Sequence, residues 1–286
     1  MAGSLFVVAT PIGNLQDLTF RALRTLKEVD VIAAEDTRRT SKLLAHYGIS
    51  KPLVSLHEHN EHRESPKLVG RLVRGETMAL VSDAGTPGIS DPGATLVRLC
   101  LEQGVAVVPI PGPSAVTAAL SVSGWTATPF TFMGFPPASG QARGLWFDVL
   151  GETPGVVVFF ESPHRILRTV DDFRHLFPER PITAHRELSK IHESFVMWPN
   201  SGTHANITER GEFVLVAGPY VIAPKFDSSP ELMLEVFESL GAIGAISDDQ
   251  RLRAVAAVTG MGWSKVKSAI KKHRILVKKQ NINSTY

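Results

Sequence analysis

Short apolar runs separated by helical periodicity dominate the first part of the chain. Strands are predicted near 4–9, 30–34, 52–56, 77–82 and 105–109. Between them, apolar residues recur at helical spacing, as in Leu23, Leu26 and Val29, or Leu68, Leu72 and Val73. Strand and helix in alternation predict a mostly parallel sheet. After Trp125 strands become more frequent: Phe130–Gly134, Gly155–Phe160, Pro181–Arg186, Glu193–Trp198, Thr203–Ile207 and Glu212–Ala217, with helices only near 140–150 and 163–176. That texture predicts a second, mixed α/β domain with antiparallel pairing. Pro219–Pro230 reads as a linker and 231–277 as three short helices. The expected organisation is an N-terminal parallel α/β domain (1–113), a mixed α/β domain (114–224) and a basic helical tail (225–286).

The turns carry more information than the elements. LVSDAGTPGISDPG (Leu80–Gly93) passes from a strand through a loop rich in glycine and proline, and helix-forming sequence resumes at Ala94. Gly85, Gly88 and Gly93 permit positive-φ backbone, while Pro87 and Pro92 remove conformational freedom, so the loop can hold one shape before a ligand arrives. SLFVVATPIGNLQDLT (Ser4–Thr19) and VAVVPIPGPSAVTAAL (Val105–Leu120) repeat the strand, Pro/Gly turn and helix start. All three turns follow the carboxyl ends of their strands, the edge where open parallel sheets bind ligands.

Composition narrows the class. With 286 residues, 43% hydrophobic and 20% charged, the chain can bury a sizeable core. Its single Cys100, set in the apolar pattern Leu96, Leu99, Cys100, is expected to be a buried thiol; it excludes an internal disulfide or a cysteine metal cluster. No basic segment precedes the first apolar run, which Pro11 interrupts, so a signal peptide is not expected and a cytoplasmic location is. Gln103–Ala142 has no ionisable side chain, but its prolines and glycines break it well short of the roughly 20 residues a membrane span needs. It is expected to be the dry interior where two domains meet.

The net charge of +2 hides an asymmetry: Arg251 to Tyr286 holds nine Lys or Arg and no acid, leaving 21 basic against 28 acidic residues elsewhere. RLRAVAAVTGMGWSKVKSAIKK (Arg251–Lys272) reads as a helix, a turn through Gly260 and Gly262, Ser264 as a helix cap and a second, Lys-rich helix. It resembles a helix-turn-helix whose charge would attract phosphates, or a solvated hairpin that dimerises or caps the body.

Several polar clusters could carry chemistry. AAEDTRRTSKLL places Glu35 and Asp36 at a strand end before Arg38 and Arg39. The carboxylates could act as a base or orient a hydroxyl; alternatively Asp36 caps the helix and Glu35 pairs with an arginine. HEHNEHRE (His57–Glu64) superficially suggests a metal through His57, His59 and His62, yet no acidic or cysteine cluster supports one, and hydrogen bonding to a polar substrate fits better. FFESPHR and HRELSKIHE each follow a strand; Arg165, Arg186 and Lys190 could bind phosphate or form surface ion pairs. No P-loop, GxSxG or GxGxxG appears, so phosphoryl transfer, serine hydrolysis and hydride transfer lose their usual signatures. Spacing alone stops at a two-domain α/β protein with an interdomain small-molecule site and a basic tail.

Taken together, VATPIGNLQDLT, AAEDTRRTSKLL, HEHNE, LVSDAGTPGISDPG, PIPGPSA, ESPHR, RELSK and GEFVLV resemble, in order, the tetrapyrrole-methylase-like family. They are most similar to its branch that methylates a cytidine ribose 2′-hydroxyl in small-subunit (16S) ribosomal RNA near the decoding centre. The resemblance spans about Leu5–Gly218 and implies a homodimeric enzyme that binds S-adenosylmethionine between its two domains. It places cofactor contacts at Asp83, Ala84, Gly85, Thr86 and Pro87, at Ile89 and Ser90, at Ser114 and Ala115, and at the strand end Val216, Ala217 and Gly218. Transfer to a weakly acidic hydroxyl needs a base, and Asp36, Glu187 or Glu35 is expected to take the proton. RNA contacts fall to Arg38, Arg39, His57, Asn60, Arg143, Arg165, Arg186 and Lys190, with Lys265, Lys267 and Lys271 of the tail, on a nearly or fully assembled subunit. Two departures stand out: GFPPASGQAR has Ser139 at the usual lysine and keeps only Arg143, and Phe160 replaces a common tyrosine. A precorrin-like methylase shares fold and cofactor but gives no reason for the basic tail; a non-enzymatic nucleic-acid-binding regulator would not need the interdomain loops.

Overall fold

The computed structural model describes residues 2–198, 207–220, 229–242, 247–259 and 263–283. The chain divides into two compact units: one takes in the residues up to Pro219 except Gly151–Pro154, and the second holds those four and the chain from Tyr220 onward.

Both sheets lie in the first unit. Five strands, β1 (Ser4–Val8), β2 (Val31–Ala34), β3 (Leu53–Ser55), β4 (Met78–Val81) and β5 (Ala106–Ile110), form a sheet in the order β3-β2-β4-β1-β5. Every pairing in it is parallel. VIAA of β2 and MALV of β4 are buried at every position, as continuous apolar strands covered on both faces should be. The covering helices are α1 (Phe20–Glu28), α2 (Thr37–His46), α3 (Glu61–Val73) and α4 (Ala94–Glu102). The Thr19 and Asp36 side chains cap α1 and α2. Cys100 is buried under this sheet, with its thiol pKa pushed up to about 11 by burial. The apolar stripe of α3 departs from expectation at Val73, which is 48% exposed. Leu68, Val69 and Leu72 face the sheet, and one further residue turns the helix by about 100° away from it.

The second sheet has the order β6-β7-β10-β8-β9, from β6 (Phe130–Phe132), β7 (Gly155–Glu161), β8 (Ile182–Arg186), β9 (Ser194–Trp198) and β10 (Phe213–Tyr220). β6 and β7 pair in parallel, while β8 pairs antiparallel with both β9 and β10. Around it run α5 (Ala115–Ser121), α6 (Gly140–Glu152) and α7 (Ile166–Leu176). Its core packs Phe147 and Leu150 of α6 and Val170 and Phe173 of α7 against Val157, Phe159 and Leu215. The strand expected at Thr203–Ile207 lies, but for Ile207, outside the described residues, as do 221–228 of the expected linker and the turn at Gly260 and Gly262.

Gln103–Ala142 is not a dry interior. Val122 is 59% exposed, Phe130 45% and Phe135 52%, and neighbouring Leu101 is 62% exposed. The segment supplies β5 and β6, which are edge strands of their sheets, so one flank of each has no neighbouring strand.

The second unit contains α8 (Pro230–Ala242), α9 (Asp248–Thr259) and α10 (Trp263–Asn283). Met233, Phe237, Leu252, Val255, Val266 and Ile270 form its core. Ser264 falls inside the first turn of α10 rather than capping it, because helical backbone already begins at Trp263. Lys265, Lys267 and Lys271 are exposed on α10. Among the described residues, no helix is long and apolar enough to cross a membrane.

Candidate active site

Loops from both sheets converge on a cavity of about 350 Å³, within the usual range for small-molecule sites. The parallel sheet contributes Ile12 after β1, Ala84 to Thr86 and Ile89 to Asp91 after β4, and Ser114 to Val116 after β5. The mixed sheet contributes Phe135, Phe160 to Pro163 at the end of β7, His185 and Leu188 at the end of β8, and Gly211 to Val214 at the start of β10.

The first three loops are tied to each other. Thr10 and Gly85 exchange backbone hydrogen bonds, N–H of Thr10 to O of Gly85 at 2.8 Å and the reverse at 3.0 Å. Gly85 has φ +77°, a conformation glycine adopts without strain. The Thr86 hydroxyl donates to the Pro113 carbonyl at 3.3 Å, joining the β4 and β5 loops. The far end of the β4 loop is held by Glu61 of α3, whose Oε1 accepts from the N–H groups of Gly93 (2.9 Å) and Thr95 (2.8 Å). Glu61 thus supplies the α4 cap that Gly93 cannot. The binding edge is built before any ligand arrives.

Of the residues expected to hold a small molecule, Ala84, Gly85, Thr86, Ile89, Ser90, Ser114 and Ala115 line the cavity; Asp83 and Pro87 are in the same loop but do not. Val216, Ala217 and Gly218 do not line it either. Val216 and Ala217 are fully buried in the core, and the Gly218 N–H bonds the Pro181 carbonyl. The reason is strand direction: β10 runs antiparallel to β8, so where the carboxyl end of β8 reaches the cavity, it is the amino end of β10 that meets it. Gly211 to Val214 take the place assigned to Val216 to Gly218.

The candidate proton acceptors stand apart from the cavity wall. Asp36 caps α2 and grips Arg38 through both oxygens, at 3.1 Å to Nε and 2.8 Å to Nη2. These bonds, first the Arg38 side chain and then its backbone N–H, hold the Asp36 carboxyl well below the ordinary carboxylate range. Glu35 accepts from the Asp83 N–H at 3.1 Å and, among the described residues, pairs with no arginine. Asp83 in turn accepts from the Asp36 N–H and pairs with Arg39 at 3.3 Å. Glu187 sits at φ +55° and binds Lys190 Nζ (2.8 Å) and the Glu212 N–H (2.9 Å). Burial works to raise its pKa, but Lys190 and the Glu212 amide outweigh that and keep it low.

The basic residues sort into two groups. Arg143 is buried, with its guanidinium committed to Asp172, Thr169 and the Pro137 carbonyl, so it is a brace of α6 against α7 and not an exposed contact. Arg165 bonds Glu161, Ser162 and the Pro136 carbonyl, and Arg186 bonds the carbonyls of His192 and Arg210. Lys190 bridges Glu187 and Glu212. Asn60 is buried and closes the β3–α3 loop, accepting from the His57 N–H and donating to the Ser55 carbonyl. Half-buried His57 leaves its Nδ1 without a partner. Arg38 and Arg39 carry exposed side chains.

Asp91 and His185 are among the lining residues that the sequence does not single out as site residues. Asp91 belongs to the β4 loop and His185 to β8, and neither stands out from the polar residues beside it. His185 is buried against Thr183, with Oγ1 to Nε2 at 3.1 Å. Burial lowers its pKa to about 4, only partly opposed by Glu193. A histidine held neutral in the fold but free to charge when unfolded costs stability as pH falls from about 6.5 towards about 4. The cost reaches up to about 3 kcal/mol at the low end. Asp91, whose pKa burial raises to about 6, acts with the opposite sign between about 4 and 6. His185→Gln removes only the first contribution, so urea unfolding should show the variant gaining on the wild type as pH falls through this window. Parallel pH curves would show that His185 does not titrate this way.

A family model described as tetrapyrrole (corrin/porphyrin) methylases matches residues 4–200. The chain is 41% identical over 280 residues to ribosomal RNA small subunit methyltransferase I of Haemophilus influenzae, covering 94% of this chain and 95% of that protein. It is 48% identical over 224 residues to the protein of the same name from Pseudomonas aeruginosa, covering 76% of this chain and 79% of the relative. Among solved structures, uroporphyrin-III C-methyl transferase from Thermus thermophilus complexed with S-adenyl homocysteine shares the fold, with TM-score 0.51 at 18% identity over 76% of this chain and 97% of that one.

Proposed function

The chain belongs to the tetrapyrrole methylase family, and we propose that it transfers the methyl group of S-adenosylmethionine to the 2′-hydroxyl of a cytidine in small-subunit ribosomal RNA, near the decoding centre. The observation that carries the reading is the cavity where both sheets meet, in a chain so similar along its length to relatives named for small-subunit ribosomal RNA methylation.

The residues present fit the donor. Among the described residues, the cavity wall holds no lysine or arginine, so no fixed cation in it opposes a ligand with a sulfonium and an ammonium group. Ile12, Ile89, Val116, Phe160 and Val214 offer apolar surface for the uncharged parts of the molecule, and small Gly85 and Ala115 leave it room. Bound there, S-adenosylmethionine supplies an already activated methyl group. The protein then has to align the hydroxyl with it, exclude water and remove one proton. Alignment can supply as much as about 7–11 kcal/mol and a placed base a further ~10²–10⁴-fold.

Exposed Arg38 and Arg39 of the first unit, and separately the exposed lysines Lys265, Lys267 and Lys271 of the second, are available to RNA phosphates. Arg186 and Lys190 would act by shaping the β8–β9 loop, since their donors already have partners. Exposed Phe130 on edge strand β6 and exposed Val122 at the end of α5 support a second copy of the chain as their cover. Methyl label should pass from S-adenosylmethionine into assembled small subunits and far less into naked RNA; equal labelling of both would show that the assembled form is not required.

A further inference from the structure

We propose that Asp91 is the proton acceptor for the ribose hydroxyl, an assignment that rests on the methyl-transfer reading above. The carboxylates first considered for this role, Asp36, Glu35 and Glu187, lie outside the cavity wall and are held by cations or backbone N–H groups. Of the carboxylates within the wall, Glu161 is paired with Arg165 at 2.7 Å and Glu212 with Lys190 at 3.0 Å. Asp91 faces the same cavity and, among the described residues, pairs with no lysine or arginine.

Its position is fixed from both sides. Ser90, just before it, has φ +63°, and Gly93, just after Pro92, has φ +131° with its N–H bound to Glu61. The charged groups that act on it are Glu35 and Asp83 from the ends of β2 and β4, the latter paired with Arg39; Glu161 and Glu212 share its cavity wall. Burial raises the Asp91 pKa to about 6; a hydrogen bond with Ser82 opposes this, and Glu35 and Asp83 add to it. Such a carboxylate is still mostly ionised at neutral pH yet is a far better base than one held by a guanidinium.

The step balances on the chain's own group. The Asp91 carboxylate accepts the 2′-hydroxyl proton while the oxygen's electron pair forms the bond to the methyl carbon; the carbon–sulfur bond breaks and its pair remains on sulfur. Asp91 ends neutral and returns its proton to water.

Asp91→Asn tests this with two readouts. In the cofactor-free protein, infrared difference titration should show a carboxyl band that fades in the wild type near pH 6 and is missing from the variant. With small subunits as substrate, the single-turnover rate of the variant at neutral pH should fall by about 10²–10⁴-fold and lose its dependence on a group titrating near 6. S-adenosylhomocysteine affinity should stay within about threefold, under 1 kcal/mol, showing an intact fold and donor site. Asp91→Glu should recover part of the rate.

An Asn variant with the wild-type rate and pH profile overturns the assignment, as does loss of S-adenosylhomocysteine affinity in step with rate, which would make Asp91 a donor-holding group. A wild type that binds S-adenosylmethionine but labels no small-subunit RNA overturns the functional reading itself. That failure is separable, because it is seen before any variant is made.

Discussion

Replacing Ala115 by phenylalanine is expected to lower the affinity for S-adenosylhomocysteine by about 100-fold or more, corresponding to about 2.7 kcal/mol, in calorimetric titration. Ala115 is the first residue of α5 and lines the cavity beside Ser114 and Val116. Ala115 is half-buried, packs against the cluster that holds Val116 and Ala119 and borders the cavity, so a ring there extends into the volume the donor would take. Thermal stability should change little, since a half-buried position is filled and no hydrogen bond is removed. An Ala115→Phe protein that binds as tightly as the wild type would place the donor somewhere other than between the two sheets.

The largest stability effect should come from Glu161→Ala. The Glu161 side chain is fully buried and accepts from the Ser162 N–H (2.7 Å), the Thr169 hydroxyl (2.6 Å) and Arg165 (2.7 Å). Arg165 goes on to the Pro136 carbonyl and Arg143 to Thr169, Asp172 and Pro137, so one acid organises the β7–α7 turn and the loop before α6. Removing it takes away the charge partner of Arg165 and the acceptor of the buried Thr169 hydroxyl. Truncating one partner of a buried ion pair typically costs about 3–5 kcal/mol, and equilibrium urea unfolding should show a loss of that order. Glu161→Gln, which keeps the shape and some of the bonds, should lose less. A loss below about 1 kcal/mol would mean that water replaces the network.

Much of the fold is local information, which is why it is legible. Apolar runs such as MALV and VIAA, followed by Pro/Gly turns and amphipathic helices, define the parallel sheet and its ligand-binding edge, and seven of the expected cavity residues lie where the β4 and β5 loops were expected to place them. What the chain conceals depends on direction and partnership. Val216 to Gly218 sit at the carboxyl end of a strand as the other candidates do, but the antiparallel pairing of β10 with β8 turns that end away. Arg143 looks like any basic surface residue until Asp172 and Thr169 are seen to enclose it. The uncharged stretch before it suggests burial, yet it leaves Phe130 exposed on edge strand β6 and Val122 exposed at the end of α5. Asp91 is one more acid in a polar loop; only the folded cavity separates it from Asp83, eight positions earlier, whose carboxylate is tied to Arg39.

Methyl transfer to a ribose hydroxyl is tested most directly by nucleoside analysis. Small subunits incubated with the protein and methyl-labelled S-adenosylmethionine would be digested to nucleosides and the labelled product identified by mass spectrometry. The expected product is 2′-O-methylcytidine from a single site in the small-subunit RNA. Label on a base, on another ribose, or absent from the RNA despite bound donor would contradict it.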